Sequence, residues 1–139
     1  MSAVKDLYTG EIISWVVSKT NDNPLVMKTI KAAIEANPGV TLILHSDRSF
    51  QYTSKEYVRE VSKAGITRSM SRVGRCIDNA PMESFFNLLK RERLNRQPIK
   101  DLEELKQIVD HYVTWFNHDR ISLNKNGLTP IEYRNQTAA

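Results

Sequence analysis

The sequence predicts an α/β fold in which helices cover a mixed sheet. The first observation behind this prediction is a pair of β-prone segments, residues 3–9 and 11–19, which are separated by Gly10 and form a plausible hairpin. The second is the apolar run 40–44, whose nearly continuous hydrophobicity is typical of a central strand covered on both faces. The third is the order of elements, which is hairpin, helix, strand, helix, strand and then helices. With 139 residues, 40% of them hydrophobic, the chain has the length of a single domain, residues 1–139.

Neither a membrane span nor a secretory signal is predicted. The chain has no run of about 18 apolar residues, and its N-terminus lacks a charged region followed by an apolar block. We therefore expect a cytoplasmic protein with no membrane partner. The single cysteine, Cys76, excludes an intrachain disulfide, and the three scattered histidines lack the spacing of a zinc site.

The segment after the hairpin predicts the first helix. Asn23 and Pro24 suit an N-cap and a first-turn proline. The sequence LVMKTIKAAIEAN then places Met27 and Ile30 on one face, as an amphipathic helix requires. The Pro-Gly pair at 38–39 ends this helix.

A second helix is predicted between the strands 40–44 and 66–70. Thr53 and Glu56 form a capping box of the type T-x-x-E at its start, and Gly65 closes it. Because the strands 40–44 and 66–70 flank one helix, the rule of right-handed crossovers constrains this strand–helix–strand unit.

A third helix follows a polar loop. Asp78 or Asn79 caps it, Pro81 lies in its first turn, and it runs to about Leu94. Its apolar stripe has the spacing i, i+3, i+4, i+7 of a face that packs on the core. The stripe consists of Met82, Phe85, Phe86 and Leu89.

Two more helices complete the prediction. The longer one begins at Asp101, and the short last one begins at Thr129, Pro130 and Glu132 by the same capping logic. Apolar residues at alternating spacings of three and four mark the longer helix, and they indicate either ordinary core packing or a seam that pairs with another helix. These residues are Leu102, Leu105, Val109, Tyr112 and Phe116.

Two acids stand out by their positions. Asp47 follows the apolar run 40–44, and Glu83 lies near the start of the third helix, with 35 residues between the two acids. Glu83, Asn87 and Lys90 form a second stripe of that helix, offset from the apolar one. Two carboxylates from different elements could bind magnesium beside a phosphate backbone. From spacing alone the alternative stays open that Asp47 caps a turn and Glu83 is a solvated acid.

Basic residues are concentrated at the end of the same helix. Residues 84–100 contain five basic residues and one acid, Glu92. The resulting excess of four positive charges equals the net charge of +4 of the whole chain. Such a run is typical of a surface that binds a phosphate backbone, or of a solvated helix face. The basic residues are Lys90, Arg91, Arg93, Arg96 and Lys100.

Three ordered segments carry a resemblance to a known family. HSDRSFQYTS, SRVGRCIDNAPMESFFNLLKRE and YVTWFNHDRISLNKNGLTPIEYR are similar to the integrase-core region of bacterial insertion-sequence transposases, in the retroviral-integrase superfamily. The resemblance implies a ribonuclease H-like fold and an enzyme that cuts and joins transposon-end DNA by phosphoryl transfer with Mg²⁺ or Mn²⁺.

The resemblance also assigns roles to particular residues. That family binds its metal through two Asp and one Glu, of which the second Asp matches Asp47 and the Glu matches Glu83. Lys90 matches the basic residue seven positions after the Glu, which contacts DNA. With it we expect Asn87, Arg91, Arg93 and Arg96 to bind DNA.

The chain departs from the family pattern in two places. Where the family has Gln-Gly-Ser after its second Asp, this chain has Arg48, Ser49 and Phe50, so the turn loses a glycine. The family's first catalytic Asp lies on a strand before the hairpin, whereas this sequence starts inside the hairpin and its Asp6 matches a non-catalytic position. The resemblance therefore implies a catalytic-core fragment that lacks its first, central strand, binds metal weakly and is inactive.

Two expectations about assembly follow from the missing strand. Either the hairpin shifts sideways to pair with 40–44, or a second copy donates a strand. We expect the strand-exchanged dimer, because a sideways shift would also change the register of the hairpin's core-facing residues. The alternative functions are a non-catalytic DNA-binding or regulatory remnant, and a structural helix-pairing module that uses the seam 102–116.

Overall fold

The computed structural model describes residues 1–46, 50–70 and 80–138. None of the helices in this described part combines the length and hydrophobicity that a bilayer crossing requires. Residues 47–49 and 71–79, which include Asp47 and the predicted caps Asp78 and Asn79, lie outside it. In chain order the elements are β1 (Ser2–Lys5), β2 (Ile12–Val16), α1 (Asn23–Ala36), β3 (Ile43–Ser46), α2 (Phe50–Thr53), α3 (Lys55–Lys63), β4 (Thr67–Met70), α4 (Ala80–Glu92), α5 (Leu102–His118) and α6 (Pro130–Ala138), with short 3₁₀ turns at Leu94–Arg96 and Leu123–Lys125.

The described strands form two separate two-stranded sheets. β1 and β2 are an antiparallel hairpin in which Ala3 faces Trp15, and Gly10 makes the turn at a φ of 79°. β3 and β4 are parallel, from Ile43 opposite Thr67 to Ser46 opposite Met70. The predicted hairpin is thus confirmed, and the two strands predicted around the second helix pair with each other as β3 and β4. No pairing among the described residues joins the hairpin to β3, so the sideways shift, which was the alternative to the expected strand-exchanged dimer, does not occur in this structure.

The hairpin lies between helices on both of its faces. The Ser14 hydroxyl donates a hydrogen bond of 2.7 Å to the Thr29 carbonyl oxygen in α1. The indole N–H of Trp15, the next residue, donates to Asp110 Oδ1 in α5 at 2.6 Å. Because consecutive strand residues point to opposite faces, α1 covers one face of the hairpin and α5 covers the other.

The buried apolar residues form two clusters. In the first cluster the hairpin packs against α4 and α5, and in the second α1 packs against α3 and the β3–β4 sheet. The predicted stripes of α4 and α5 are confirmed, and the seam of α5 contributes Val109, Tyr112 and Phe116 to the chain's own core. The first cluster has Ile12, Val17, Phe85, Leu89, Val109, Tyr112, Val113 and Phe116 at its centre, and the second has Val26, Met27, Ile30, Tyr57, Val61 and Ile66.

The predicted strand 40–44 is displaced and less covered than expected. β3 begins at Ile43, and the side chains of Val40 and Ile43 are 53% and 73% exposed. The prediction that both faces of this segment are covered is wrong for these two residues. Both residues line a groove of about 490 Å³ between residues 40–46 and β1, which leaves their side chains accessible.

Two helix caps also differ from their predicted positions. Asp22, one residue before Asn23, accepts a hydrogen bond of 3.1 Å from the Leu25 amide. Ser54, one residue after Thr53, accepts from the Tyr57 amide at 3.2 Å and starts α3. In each pair both side chains can cap, and the geometry of the preceding turn selects one of them. The capping box of α6 is confirmed, because Thr129 and Glu132 exchange side chain to amide bonds of 2.9 and 3.2 Å.

The ends of α5 and α6 hold the hairpin in place. The Asn117 side chain, buried in the last turn of α5, accepts a hydrogen bond of 2.9 Å from the Ile12 amide and donates one of 3.0 Å to the Ile12 carbonyl oxygen. It thereby occupies backbone groups at the start of β2 as a neighbouring strand would. From α6, Arg134 forms an ion pair of 2.7 Å with Glu11 beside the hairpin turn.

Candidate metal and nucleic-acid site

Helix α4 separates a core face from a polar face. Phe85 and Leu89 are almost fully buried, at 0% and 2% exposure. Glu83 in the first turn, Asn87 one turn later and Lys90 near the end are all exposed. At a rise of about 1.5 Å per residue, Glu83 and Lys90 lie roughly 10 Å apart along the helix axis. The structure therefore brings these three predicted site residues together on one accessible surface.

The strand that precedes Asp47 in sequence ends beside the helix that carries Glu83. His45 and Ser46 at the end of β3 and Met82 and Phe86 of α4 line one cavity of about 290 Å³. Asp47 itself lies outside the described residues, so its distance from Glu83 stays a prediction.

The chemistry of Glu83 fits a magnesium ligand. Its carboxylate is exposed, and hard divalent cations take carboxylate oxygens while keeping several waters. In the described ranges, no three His, Cys, Asp or Glu side chains come close enough together to hold a metal ion. A metal site at Glu83 therefore requires ligands from water or from the undescribed segments, of which Asp47 is the predicted one.

The predicted basic residues form an exposed surface at the end of α4. Lys90 and Arg91 lie in the last turn of the helix, and Arg93 and Arg96 lie at the following 3₁₀ turn. None of these four side chains is within 4 Å of a carboxylate among the residues that the structure describes. We refer to Lys90, Arg91, Arg93 and Arg96 together as the basic surface.

Glu92, the one acid in the segment 84–100, forms hydrogen bonds with Arg120 and Tyr112 of other parts of the chain. The Arg120 guanidinium donates to both oxygens of its carboxylate, with the shortest contact at 2.7 Å, and the Tyr112 hydroxyl donates a third bond of 2.7 Å. Hydrogen bonding by Arg120 lowers the pKa of Glu92, and burial raises the pKa of Tyr112 with Glu92 adding to the effect. Arg120 is thus the main cation of Glu92, and Arg91 of the basic surface contributes a smaller attraction to the same carboxylate.

This cluster predicts a dependence of stability on pH. A carboxyl group whose pKa is lower in the folded chain stabilises it above the unfolded pKa, and this stabilisation is lost as the pH falls through the folded value. Glu92→Gln is expected to lower the free energy of unfolding at pH 7 by about 1 to 3 kcal/mol. The loss relative to the parent should shrink as the pH falls below about 4.5, the ordinary range of a glutamate.

Urea denaturation at pH 7 and pH 3.5 measures this effect. Glu103→Gln is the control, because Glu103 is exposed and its nearest cation, Lys106, is 3.9 Å away. A difference between Glu92→Gln and the parent that is the same at both pH values would contradict the prediction.

Sequence reasoning missed Lys5 as a residue near the site. Its ammonium group donates a 3.2 Å hydrogen bond to the carbonyl oxygen of Pro81, two residues before Glu83. Burial lowers the pKa of Lys5, and the nearby charges of Lys125 and Arg120 lower it further. The available signal was a lysine directly after the apolar residues Ala3 and Val4 in a β-prone segment.

Comparisons with known proteins match this chain to integrase core domains and to transposases. Two family models described as Integrase core domain match residues 1–76 and 83–138. The chain is 41% identical over 138 residues to the putative transposase InsK for insertion sequence element IS150 of Escherichia coli K12. This alignment covers 99% of this chain and 49% of that protein. It is 35% identical over 137 residues to an uncharacterized transposase-like protein of Haemophilus influenzae, covering 99% of this chain and 63% of that protein.

Solved structures show the fold. The catalytic core domain of BIV integrase aligns with a TM-score of 0.72 at 19% identity, covering 98% of this chain and 85% of that one. The HTLV-2 integrase catalytic core domain in complex with magnesium aligns with a TM-score of 0.68 at 17% identity, covering 93% and 80%. The predicted ribonuclease H-like fold is thereby confirmed. The chain spans about half to two thirds of the length of the two curated relatives named above.

Proposed function

The chain belongs to the integrase core domain family, and from this premise we propose that it is the DNA-processing core of an insertion-sequence transposase. The observation that carries the proposal is the polar face of α4, which presents a carboxylate, Glu83, and a cation, Lys90, on one exposed surface. Such a surface can hold a divalent metal ion and a DNA phosphate side by side.

We propose Asp47 and Glu83 as the metal ligands. A bound Mg²⁺ or Mn²⁺ supplies charge that activates an attacking oxygen and stabilises a leaving one in phosphoryl transfer. Asp47 and Glu83 hold the ion near α4, and the basic surface with Asn87 binds the backbone of transposon-end DNA. Lys90 is the cation of this set that shares the stripe of Glu83 and orients the phosphate.

Metal binding by the 139-residue protein is expected to be weak. Two carboxylates leave most of an octahedral shell to water, so the Kd should be about 1 mM or above. Calorimetric titration with Mn²⁺ should show this binding in the parent and in Glu103→Gln, an exposed acid of α5. Asp47→Asn and Glu83→Gln should each abolish it, and an Asp47→Asn protein that binds as well as the parent would refute the assignment.

The 139 residues alone are expected to lack strand cleavage. The sequence matches two of the three acids that the family uses, so the metal would be held incompletely. Supercoiled plasmid incubated with the protein and Mg²⁺ or Mn²⁺ should stay intact. Metal-dependent nicking that disappears in Glu83→Gln would overturn this expectation.

The second candidate function is a non-catalytic DNA-binding or regulatory protein. It is favoured by the basic surface, whose four side chains have no carboxylate within 4 Å among the residues that the structure describes. It shares the DNA binding of the first candidate and differs from it in cleavage. The helix-pairing module is disfavoured, because Val109 and Phe116 of its seam pack in the chain's own core.

Our proposal extends to assembly and location. We propose that residues 1–139 form one domain of a cytoplasmic protein that acts as a homo-oligomer on transposon ends. HTLV-2 integrase core has been described in trimeric and dimeric forms. For the 139 residues alone we propose a strand-exchanged dimer, because open strand edges recruit other strands.

A further inference from the structure

Another cavity lies between the end of α4 and one side of α5. Its volume is about 340 Å³, and the side chains that line it are Glu92, Arg93, His111, Tyr112 and Trp115. The three residues of α5 share one side of that helix, because they are three and four positions apart. At a rise of about 1.5 Å per residue, Glu92 lies roughly 14 Å from Glu83 along the axis of α4. The cavity is therefore separate from the candidate metal site.

The acid and the tyrosine of this cavity already have partners within the chain. Tyr112 is 5% exposed, and its hydroxyl donates to Glu92 Oε2 at 2.7 Å. The Arg120 guanidinium donates to both oxygens of the same carboxylate, at 2.7 and 3.1 Å. Because Arg120 balances the charge of Glu92, the uncompensated charge at the cavity is that of Arg93.

The other lining side chains are accessible from outside. Trp115 is 43% exposed, and its ring lies 5.7 Å from the ring of Tyr112 at an angle of 45°. The indole N–H of Trp15 donates to Asp110, whereas the Trp115 indole has no hydrogen-bond partner among the residues that the structure describes. His111 and Arg93 are also exposed. The cavity thus offers a planar ligand an aromatic face, an imidazole and a guanidinium.

The cavity is continuous with the basic surface, because Arg93 belongs to both. A DNA strand whose phosphates lie on that surface reaches the cavity at Arg93. Bases inside a duplex are stacked and paired, whereas an unpaired base leaves the stack at the lowest cost. Proteins bind such strands by combining positive charge along the backbone with aromatic rings on which the bases stack.

The size of the cavity limits what it can hold. Ligand pockets measure about 300 to 1,000 Å³, so this cavity is at the small end of the range and suits a single base. A helix or strand from another protein would need a continuous apolar face to pack on, and here the exposed side chains beside Trp115 are Arg93 and His111.

We propose that this cavity binds the base of one unpaired nucleotide in a DNA strand that lies on the basic surface. The base stacks on the Trp115 indole, a ring nitrogen of His111 forms a hydrogen bond with the edge of the base, and Arg93 contacts the adjacent phosphate. The proposal rests on the proposed function, since it requires DNA on the basic surface. It adds a preference for DNA with an unpaired base over a continuous duplex.

Fluorescence anisotropy with three labelled duplexes tests the preference. One duplex is fully paired, one has a single unpaired adenine, and one has an abasic nucleotide at the same place and therefore the same charge. The parent should bind the adenine duplex about tenfold more tightly than the abasic one. Trp115→Ala should remove this difference, yet keep the affinity for the paired duplex and its salt slope, because the indole contacts no phosphate.

Two further variants guard against a general effect of the substitution. Trp115→Phe keeps an aromatic ring and should keep part of the preference. Tyr8→Ala removes an aromatic side chain between β1 and β2 that is 60% exposed, and this variant should behave as the parent.

A fluorescent base shows where the unpaired nucleotide lies. With 2-aminopurine in place of the unpaired adenine, stacking on the indole should lower the fluorescence when the parent binds, and Trp115→Ala should show no such decrease. Free deoxyadenosine monophosphate should compete poorly, because it has a single phosphate for the basic surface. If it competes as well as the adenine duplex does, the cavity is a site for a free nucleotide, and the assignment to DNA is overturned.

The possible results distinguish this proposal from the proposed function. Equal affinity for the adenine and abasic duplexes, with salt-dependent binding intact, would overturn the base site and leave the proposed function standing. A preference that persists in Trp115→Ala would overturn it as well. If none of the three duplexes binds, both fail. A dimer in light scattering that Trp115→Ala converts to monomer, without any preference for the unpaired base, would assign the cavity to a second copy of the chain.

Discussion

Replacing the whole basic surface with alanine is expected to lower the affinity for double-stranded DNA on the order of a thousandfold at 0.1 M salt. Each phosphate contact contributes about 0.9 to the slope of log affinity against log salt, so four lost contacts remove most of the electrostatic binding at this salt concentration. The salt slope itself should fall by about four. Fluorescence anisotropy with a labelled duplex at several salt concentrations measures both quantities.

A matched control separates local contacts from net charge. Four exposed lysines on other elements can be replaced with alanine to remove the same total charge, and this variant should keep most of its affinity and salt slope. Equal losses in the two variants would mean that DNA responds to net charge alone, and an unchanged slope in the first would place the DNA elsewhere. The control residues are Lys19, Lys28, Lys31 and Lys55.

Asn117→Ala is expected to cost about 2 to 4 kcal/mol of unfolding free energy. The Asn117 amide binds both backbone groups of Ile12, a residue that is 1% exposed. Without it a buried N–H and a buried C=O lose their partners, and each such group costs about 1 to 3 kcal/mol. Urea denaturation followed by circular dichroism gives the change.

Two further variants define the cause. Asn117→Asp keeps an acceptor for the Ile12 amide but places a carboxylate against the Ile12 carbonyl oxygen, so it should also destabilise the chain. Asn124→Ala, which replaces an exposed asparagine in the 3₁₀ turn before α6, should change the stability by less than about 0.5 kcal/mol. An Asn117→Ala protein as stable as the parent would show that water or a shifted strand satisfies Ile12.

Local patterns predicted most of the helices. The stripe of α4 and the cap of α5 depend on residues three or four positions apart, and both were confirmed. The strand was predicted at 40–44, whereas β3 begins at Ile43. Hydrophobicity indicates that a segment is buried, but it does not indicate which neighbouring element buries it. With an open groove beside β3, Ile43 is apolar and exposed.

Long-range polar contacts were not predictable from spacing. Asn117 and Ile12 are 105 residues apart in sequence, and Arg120 and Glu92 are 28 apart. Neither pair has a periodic signal, because each forms only when α5 packs against another element. For the site, the helical spacing from Glu83 to Lys90 sufficed to predict one exposed stripe, whereas the pairing of Glu83 with Asp47 came from the family resemblance and stays a prediction.

The most direct test of the account is where a metal ion binds. Manganese(II) is paramagnetic, so titrating it into the protein broadens the amide NMR signals nearest to the bound ion. We predict that broadening begins at Glu83 and at Ser46, the neighbour of Asp47, and that Glu83→Gln removes it. Broadening that spares Glu83, or that persists unchanged in Glu83→Gln, would contradict the claim that the polar face of α4 is the metal and DNA site.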